Sequence, residues 1–409
     1  MTETQKRTTA AVVIPIFITF FTMGFVDFVG TAANQLKDDL GLSAGQVSLF
    51  TTMVFFWFFI FAIPSSYCMN RYGRRATVLL SVAVTIAACI FPIIAYAIPG
   101  VSSAVKLILM VISFILLGIG NAIMQVSLNP LIANLVSPDR YSSTLTSGQF
   151  VKAIASFSAP LIASWLGSAL HMWWLTYVLF LVISVVAYLS LLADKVEEKK
   201  TDAPNMSFGK VLGLLKDKII LLCFIGIMCH VGMDAGVNTY APRFLIGAHA
   251  GMGANQAAYT TSLYFVFRTI GLAAGMYALT KLSNRISIII CSSIVGLSVV
   301  AFIAYTVVPG AGDWILWAAL ALIGFGNSNM FAIMYSIAGL HMPERQNEIS
   351  GLMIMGLIGG AILPPIMGGV SDAIGGQLGS ALVLIVPACY FIFLACRPKL
   401  LSAQGKAAA

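Results

Sequence analysis

An internal repeat constrains the fold of this chain more than any other sequence feature. Residues 118–140, GIGNAIMQVSLNPLIANLVSPDR, return at 324–345 as GFGNSNMFAIMYSIAGLHMPER, so a Gly-x-Gly-Asn motif recurs after 206 residues. Asp27 and Asp234 are separated by a similar 207 residues. In a membrane chain, a direct repeat predicts two bundles related by an axis along the membrane normal, with a binding site where they face each other. This is the architecture of a transporter.

The composition places the chain in lipid. It is 59% hydrophobic and only 9% charged over 409 residues, which leaves too few charged side chains to cover a soluble globule. Apolar runs of about 20 residues, the length that crosses the hydrocarbon layer, occur at 11–36, 46–69, 76–98, 104–136, 145–170, 173–193, 219–246, 257–280, 286–308, 314–340, 348–371 and 379–396. We therefore predict an all-α membrane protein with twelve transmembrane helices in two six-helix bundles. The first run lacks a small-residue cleavage site, so it is expected to be a retained helix.

Charge and polarity set the predicted boundaries and topology. The longest polar stretch divides the chain into an N-terminal bundle (1–193), a cytoplasmic linker (194–218) and a C-terminal bundle (219–409). With both termini in the cytoplasm, 18 of the 23 Lys and Arg residues fall in cytoplasmic segments and 3 in outer segments. This bias predicts that both termini lie in the cytoplasm, and the expected location is the bacterial cytoplasmic (inner) membrane, as an integral multi-pass protein. It also accounts for the net charge of +8 through topology and contact with anionic lipid, so no nucleic-acid partner is expected.

Four ionisable residues lie well inside predicted spans. They are Asp27 in the first span, Lys152 in the fifth, Asp234 in the seventh and Arg268 in the eighth. A charge at the centre of a membrane helix costs roughly 2.5–3.5 kcal/mol on the insertion scale, so each should face a cavity or a partner. Two interpretations stay open: structural ion pairs that lock the halves, or contacts with a solute and a coupling ion.

Uncharged polar side chains accompany them in the first, fourth, seventh and tenth spans, which are equivalent positions of a three-helix repeat. The set is Asn34, Asn121, Gln125, Asn129, His230, Asn238, Asn327 and Asn329. In the fourth and seventh spans these residues recur every fourth position, on one stripe of a helix. Amides and carboxylates suit a polyhydroxylated solute, whose hydroxyls both donate and accept hydrogen bonds. Interhelical hydrogen bonding is the alternative, and His230 is either a packing residue or part of a proton relay with Asp234.

The sequence offers little support for other classes of protein. Seven cysteines lie in or beside apolar runs without the spacing of metal ligands, so no metal and no cofactor are expected. We find no pairing of a nucleophile with a base and no phosphate-binding loop, so an enzyme is not expected. A nutrient sensor that does not transport would need a soluble output segment, and neither the short linker nor the tail after Arg397 offers one.

Residues 70–75, NRYGRR, resemble the loop signature of the major facilitator superfamily, with Asn70 where an acid is usual and Ser66 where glycine is usual. The chain further resembles the fucose:proton symporter family, which includes the fucose and glucose/galactose permeases. The stretches that carry this likeness are 24–27, 125–130, 231–237 and 359–368, followed by Asp372.

This resemblance implies specific roles. The acid of the family's first helix corresponds to Asp27, the proton carrier. The glutamate of its fourth helix corresponds to Gln125, which can bind sugar but cannot titrate. The glutamine of its seventh helix corresponds to Asp234, and Lys152 lies near a position where the family tends to place asparagine.

The expected function is import of a monosaccharide of the hexose or deoxyhexose class by proton symport and alternating access. Proton coupling is assigned to Asp27, Asp234 and His230. Substrate binding is assigned to Asn34, Gln125, Asn129, Lys152, Asn238, Arg268, Asn327 and Asn329. One alternative is an acidic sugar or other organic anion, such as a uronate or sialate, bound by Lys152 and Arg268; another is proton-coupled efflux. The expected partners are a small sugar, a proton and membrane lipid, and the expected state is a monomer.

Overall fold

The computed structural model describes residues 3–42, 44–193, 208–249 and 259–397, and these are almost entirely helical. In chain order the helices are α1 (Glu3–Met23, a 3-10 turn Gly24–Phe28, and Val29–Leu40), α2 (Ala44–Tyr72), α3 (Arg74–Ala97), α4 (Ser103–Ala133), α5 (a 3-10 turn Pro138–Arg140, then Tyr141–Leu170), α6 (Leu175–Ala193), α7 (Lys218–Ala248), α8 (Tyr259–Lys281), α9 (Asn284–Val307), α10 (Asp313–Asn327 and Met330–His341), α11 (Pro343–Arg345, Gln346–Met355, Gly356–Ile358 and Gly359–Ile374) and α12 (Leu378–Val383 and Ile385–Ala395).

These helices match the predicted spans one by one. Within the described residues, eleven helices are long and apolar enough to cross a membrane, and α2 adds a further helix of 29 residues. The predicted all-α membrane architecture is therefore confirmed. The predicted linker ends in a short helix, Phe208–Leu212, and a 3-10 turn, Gly213–Lys216, while residues 194–207 lie outside the described residues.

Polar side chains cap several helices where the apolar runs begin. Asp217 accepts hydrogen bonds from the backbone N–H groups of Ile219 (2.9 Å) and Ile220 (3.1 Å) at the start of α7. Ser102 and Ser283 cap α4 and α9 in the same way. Each cap satisfies an N–H group that has no partner inside its own helix. The span ends are thus encoded locally, by a short polar residue placed directly before an apolar run.

The chain forms two compact units. The first unit comprises 1–136, 148–211 and 344–355, and the second comprises 137–147, 212–343 and 356–409. The prediction divided the chain into 1–193 and 219–409, whereas each of these units includes one short segment from the other half of the sequence. The first unit includes the start of α11, and the second includes the start of α5.

Amide hydrogen bonds hold the start of α11 in the first unit. Asn347 accepts a hydrogen bond from Nε of Arg74 (2.7 Å) and donates one to Oδ1 of Asn70 (2.6 Å). Ser350 donates to the carbonyl oxygen of Val126 in α4. Asn70, which stands where an acid is usual, therefore makes an amide–amide contact.

Hydroxyl groups hold the start of α5 in the second unit. Ser142 donates to Oδ1 of Asn284 (2.9 Å), and Asn284 donates to Oγ of Ser336 (3.1 Å). Ser143 donates to the carbonyl oxygen of Met276 at 2.6 Å. The groups in these bonds are all uncharged.

The first Gly-x-Gly-Asn motif lets α4 approach two neighbours closely. A Cβ atom on Gly118 would lie 2.8 Å from Cδ1 of Trp57 in α2, and one on Gly120 would lie 2.9 Å from Oγ1 of Thr85 in α3. Both distances are shorter than a van der Waals contact, so each approach requires glycine.

The second motif repeats this packing in α10. A Cβ on Gly324 would lie 2.7 Å from the carbonyl oxygen of Tyr264 in α8, and one on Gly326 would lie 2.9 Å from Cγ2 of Ile294 in α9. Since α8 and α9 are the repeat equivalents of α2 and α3, the two copies of the motif contact equivalent helices.

Candidate functional site

Asp27 lies at a change of helical pattern in α1, inside the 3-10 turn Gly24–Phe28. Ser156 of α5 donates a hydrogen bond to Oδ2 of Asp27 at 2.6 Å, and Nζ of Lys152 lies 4.0 Å from the same oxygen. Lys152 and Ser156 are four residues apart, so they share one face of α5. The Asp27 side chain is 43% exposed. We call these three residues the Asp27 cluster.

A glycine brings α1 and α5 together at this cluster. A Cβ atom on Gly24 would lie 2.6 Å from the carbonyl oxygen of Lys152 and 2.6 Å from Cβ of Ala155. Short 3-10 stretches inside a longer helix often mark functional hinges. The sequence therefore places the acid of α1 at an irregular turn and in close contact with α5.

Asp234 of α7 has an analogous environment in the second unit. The phenol of Tyr264 donates a hydrogen bond to Oδ1 of Asp234, and Nε of Arg268 lies 3.2 Å from that oxygen. Tyr264 and Arg268 are also four residues apart, on one face of α8. Tyr264 is buried, and the Asp234 side chain is 22% exposed. We call these three residues the Asp234 cluster.

The two clusters have the same arrangement of groups, but their ion pairs differ in strength. Each joins a carboxylate to a cation and a hydroxyl presented by one neighbouring helix, which is α5 for Asp27 and α8 for Asp234. Electrostatic attraction rises as charges approach and as water is excluded, so the Arg268 pair holds its acid more firmly than the Lys152 pair. In both clusters the positive charge is balanced by a carboxylate of the same unit.

The amide stripe of α4 is bonded partly to α1 and partly along its own helix. Asn121 donates from Nδ2 to the carbonyl oxygen of Met23 (2.5 Å) and accepts at Oδ1 from Gln125 (2.7 Å). Asn129 donates to the carbonyl oxygen of Gln125 at 2.8 Å. Gln125 and Asn129, both predicted to bind substrate, are buried.

His230 is bound to Asn327 through both of that residue's amide atoms. Nδ2 of Asn327 donates to the carbonyl oxygen of His230 (3.1 Å), and Oδ1 lies 2.9 Å from Nδ1 of the ring. A carbonyl oxygen only accepts, so the amide orientation is fixed and Nδ1 of His230 must carry the hydrogen. The contact therefore joins α7 to α10 and selects one tautomer of the histidine.

The structure shows hydrogen bonds for two of the remaining predicted residues. Asn329, at the interruption of α10, donates to the carbonyl oxygen of Gly271 in α8 at 2.9 Å. Asn238 is half-buried in α7, and its carbonyl oxygen accepts from Thr261 at 3.3 Å. The side chain of Asn34 lies outside what the structure describes.

Sequence reasoning missed the two hydroxyl residues, Ser156 and Tyr264. A signal was available, because each lies four residues from a cation already singled out, Lys152 or Arg268, and hence on the same helical face. Among the described residues, no group of three His, Cys, Asp or Glu side chains is arranged to hold a metal ion.

Comparison with known proteins identifies a family match over most of the chain. The family described as "Major Facilitator Superfamily" matches residues 16–364. A glucose/galactose transporter of Brucella abortus biovar 1 (strain 9-941) is 25% identical over 390 residues, covering 91% of this chain and 89% of the relative. A putative glucose/galactose transporter of Helicobacter pylori (strain ATCC 700392 / 26695) is 23% identical over 415 residues, covering 95% and 97%.

A similar fold has been solved. A crystal structure of a variant of the E. coli fucose:proton symporter, FucP, superimposes with a TM-score of 0.75 at 19% identity, covering 94% of this chain and 98% of that chain. At this identity the likeness establishes the fold.

Proposed function

Since the chain belongs to the Major Facilitator Superfamily and is a multi-pass membrane transporter rather than an enzyme, we propose that it imports a neutral monosaccharide by proton symport and alternating access. The solute is of the hexose or deoxyhexose class. The names of the similar proteins, glucose/galactose transporters and a fucose:proton symporter, support this choice.

The choice of a neutral solute rests on the charge balance within the two clusters. Lys152 and Arg268 are the cations that would bind an acidic sugar, but Asp27 and Asp234 already pair with them. An anionic solute would have to compete with these carboxylates for the two cations, and at Arg268 it would leave the partly buried Asp234 without its partner. Sugar hydroxyls, by contrast, hydrogen-bond to paired side chains without separating the charges.

Asp27 is the proton carrier in this proposal. Its carboxylate is nearly half exposed and its cation lies 4.0 Å away, so water has access to it and the ion pair is loose. Protonation neutralises the acid and weakens its attraction to Lys152, which leaves Lys152 and Ser156 able to donate hydrogen bonds to sugar. Release of the sugar and then the proton restores the ion pair.

Asp234 stays paired with Arg268 in the same proposal. Arg268 at 3.2 Å and the buried phenol of Tyr264 both stabilise its negative charge. The Asp234 cluster therefore supplies fixed donors and acceptors for the sugar. His230 holds α7 against α10 through Asn327.

A counterflow screen of the purified protein in liposomes tests the solute class. Vesicles are loaded with unlabelled glucose, galactose, fucose, glucuronate or N-acetylneuraminate, and exchange is followed with the labelled compound. We expect exchange with at least one neutral sugar and none with either acid. Exchange with the acids alone would replace this proposal with the organic-anion alternative.

A further inference from the structure

We propose that Asn121 and Asn327, the asparagines of the two Gly-x-Gly-Asn motifs, are positioning residues that hold the carboxylates of Asp27 and Asp234 in place for transport. This inference rests on the function proposed above. It gives the repeated motif a role in coupling and in sugar affinity as well as in packing.

The same hydrogen bond occurs in both repeats. Nδ2 of Asn121 donates to the carbonyl oxygen of Met23, and Nδ2 of Asn327 donates to the carbonyl oxygen of His230. Each acceptor precedes the acid of its helix by four residues. In the regular α-helix of α7 this spacing places the acceptor and the acid one turn apart on the same face. The acceptors differ in residue type, but a backbone carbonyl serves equally well in both.

In α1 the bond falls where the helix changes its pattern. The carbonyl of Met23 directly precedes the 3-10 turn that contains Asp27. At such a junction, carbonyl groups change or lose their regular partners, and a buried carbonyl without a donor is costly. The amide of Asn121 supplies a donor from α4, and it thereby fixes where the turn begins and where Asp27 points.

The helix α7 is continuous, so the hydrogen bond from Asn327 does not mark the start of a 3-10 turn, as that from Asn121 does in α1. Both amide atoms of Asn327 contact His230, one at the backbone and one at the ring. Two contacts to one residue fix the rotation of α7 relative to α10. That rotation determines whether Asp234, one turn further on, faces Tyr264 and Arg268 of α8.

The glycines of each motif allow α4 and α10 to pack closely against two neighbouring helices, and the asparagine contacts a third helix. In the first unit the motif contacts α2, α3 and α1; in the second it contacts α8, α9 and α7. The asparagine is the polar member of the motif. It alone gives the junction a directional contact with the helix that carries the acid.

The experiment compares Asn121→Leu with Asn327→Leu, both of which keep the approximate shape of the side chain but remove its hydrogen bonds. Ser127→Ala is the control, because Ser127 is buried in α4 and donates within its own helix, to the carbonyl of Ile123 at 2.8 Å. Proton-driven accumulation and counterflow are measured in liposomes. Hydrogen–deuterium exchange of peptides that cover residues 20–30 and 228–240 is measured on the same samples.

We expect Asn121→Leu to lower accumulation relative to counterflow by about tenfold and to raise exchange at 20–30. Asn327→Leu should raise the KM of counterflow by about tenfold, leave the ratio of accumulation to counterflow unchanged, and raise exchange at 228–240. Ser127→Ala should leave all of these quantities near the wild-type values.

The proposal is overturned if Asn121→Leu reduces accumulation and counterflow in equal proportion, since that is the result of a purely structural role. It is also overturned if deuterium exchange at 20–30 and 228–240 does not change in the respective variants. A wild-type protein that moves no neutral sugar would refute the proposed function instead, and the exchange measurement would still decide whether the asparagines anchor α1 and α7.

Discussion

The two acids of the repeat occupy equivalent positions but have unequal partners. Asp27 pairs with a lysine at 4.0 Å, and Asp234 pairs with an arginine at 3.2 Å. Lysine carries a compact charge on a flexible stem, whereas the guanidinium of arginine is planar and permanently charged. This difference supports the proposal that Asp27 exchanges the proton while Asp234 stays paired with Arg268.

Replacement of Asp27 by asparagine tests its role as proton carrier. Asp27→Asn should abolish uphill accumulation but retain counterflow, because the amide resembles the protonated, sugar-competent acid and cannot return to the ionised state. Accumulation is measured in liposomes with an imposed inward proton gradient. Asp372→Asn, at an exposed carboxyl of α11, is the matched control and should retain both activities. Uphill accumulation by Asp27→Asn would show that the proton is carried elsewhere.

Charge balance in the Asp234 cluster predicts a compensating pair of substitutions. Arg268→Gln should lower thermal stability and weaken sugar binding, because Asp234 loses its cation. Adding Asp234→Asn should recover part of the loss, with a coupling free energy of about 1–2 kcal/mol for this partly buried pair. Unfolding of the two single variants and the double variant is compared by scanning fluorimetry.

Arg243→Gln is the control, since this arginine lies over the ring of Tyr240, outside the cluster. Combining it with Asp234→Asn should give additive losses. Additive losses for Arg268→Gln and Asp234→Asn as well would mean that the two charges do not stabilise each other.

At the scale of helices, the repeated motif makes the same kind of helix–helix contact in both units. Gly118 and Gly120 of α4 meet α2 and α3, and Gly324 and Gly326 of α10 meet α8 and α9. Close packing of helices inside a membrane relies on small residues, because apolar side chains gain little by leaving lipid. The motif therefore determines the position of the central helices in each unit.

Adding a methyl group at one of these closely packed glycines should destabilise the protein. In Gly324→Ala the new methyl group would lie 2.7 Å from the carbonyl oxygen of Tyr264 and 3.0 Å from the amide nitrogen of Arg268, so backbone must move. We expect a loss of about 1–3 kcal/mol in the free energy of unfolding. Gly369→Ala, in α11 with open space around the glycine, should cost nothing. Equal stability of the two variants in thermal unfolding would contradict the packing role.

The cap of α7 gives a prediction about pH. Burial raises the pKa of Asp217, but hydrogen bonds from the N–H groups of Ile220 and Ile219 and the contact with His341 outweigh it, so the pKa lies below its ordinary value. The stabilisation is therefore fully present above the ordinary Asp pKa of about 3.9 and is lost only as pH falls through the lowered native value.

Asp217→Ala should lower stability by about 1 kcal/mol through the lost cap. The comparison is made in a His341→Gln background, because Nε2 of His341 lies 3.2 Å from Asp217 and that contact would otherwise be lost together with the cap. In that background the loss should be equal at pH 5.5 and pH 8. A loss that changes between these two values would contradict the assigned direction of the pKa shift.

The helices could be predicted from the sequence more completely than the side-chain contacts between them. Long apolar runs are a local signal, so each predicted span corresponds to a helix. The pairing of Lys152 with Asp27 depends on which helices are neighbours, and the repeat does not determine this, because α5 and α8 are not equivalent. Asn327 shows the same limit: its place in the tenth span, equivalent to the fourth, suggests solute binding, but both of its amide atoms contact His230.

In the whole molecule, the two units are built alike, but the boundary between them does not follow a single point in the sequence. Two units of similar construction each carry one acid cluster, and each includes one short segment from the other half of the sequence. Hydrogen bonds of Asn347 and Ser142 hold these segments within their units.

If a neutral sugar and a proton move together, as proposed, sugar entry alone must carry protons into a vesicle. Protein is reconstituted in liposomes that contain a pH-sensitive dye, and a neutral sugar identified in the counterflow screen is added outside without any imposed gradient. We expect the lumen to acidify as labelled sugar enters, and Asp27→Asn vesicles to show no acidification. Entry of the sugar into wild-type vesicles without a change of internal pH would rule out proton symport.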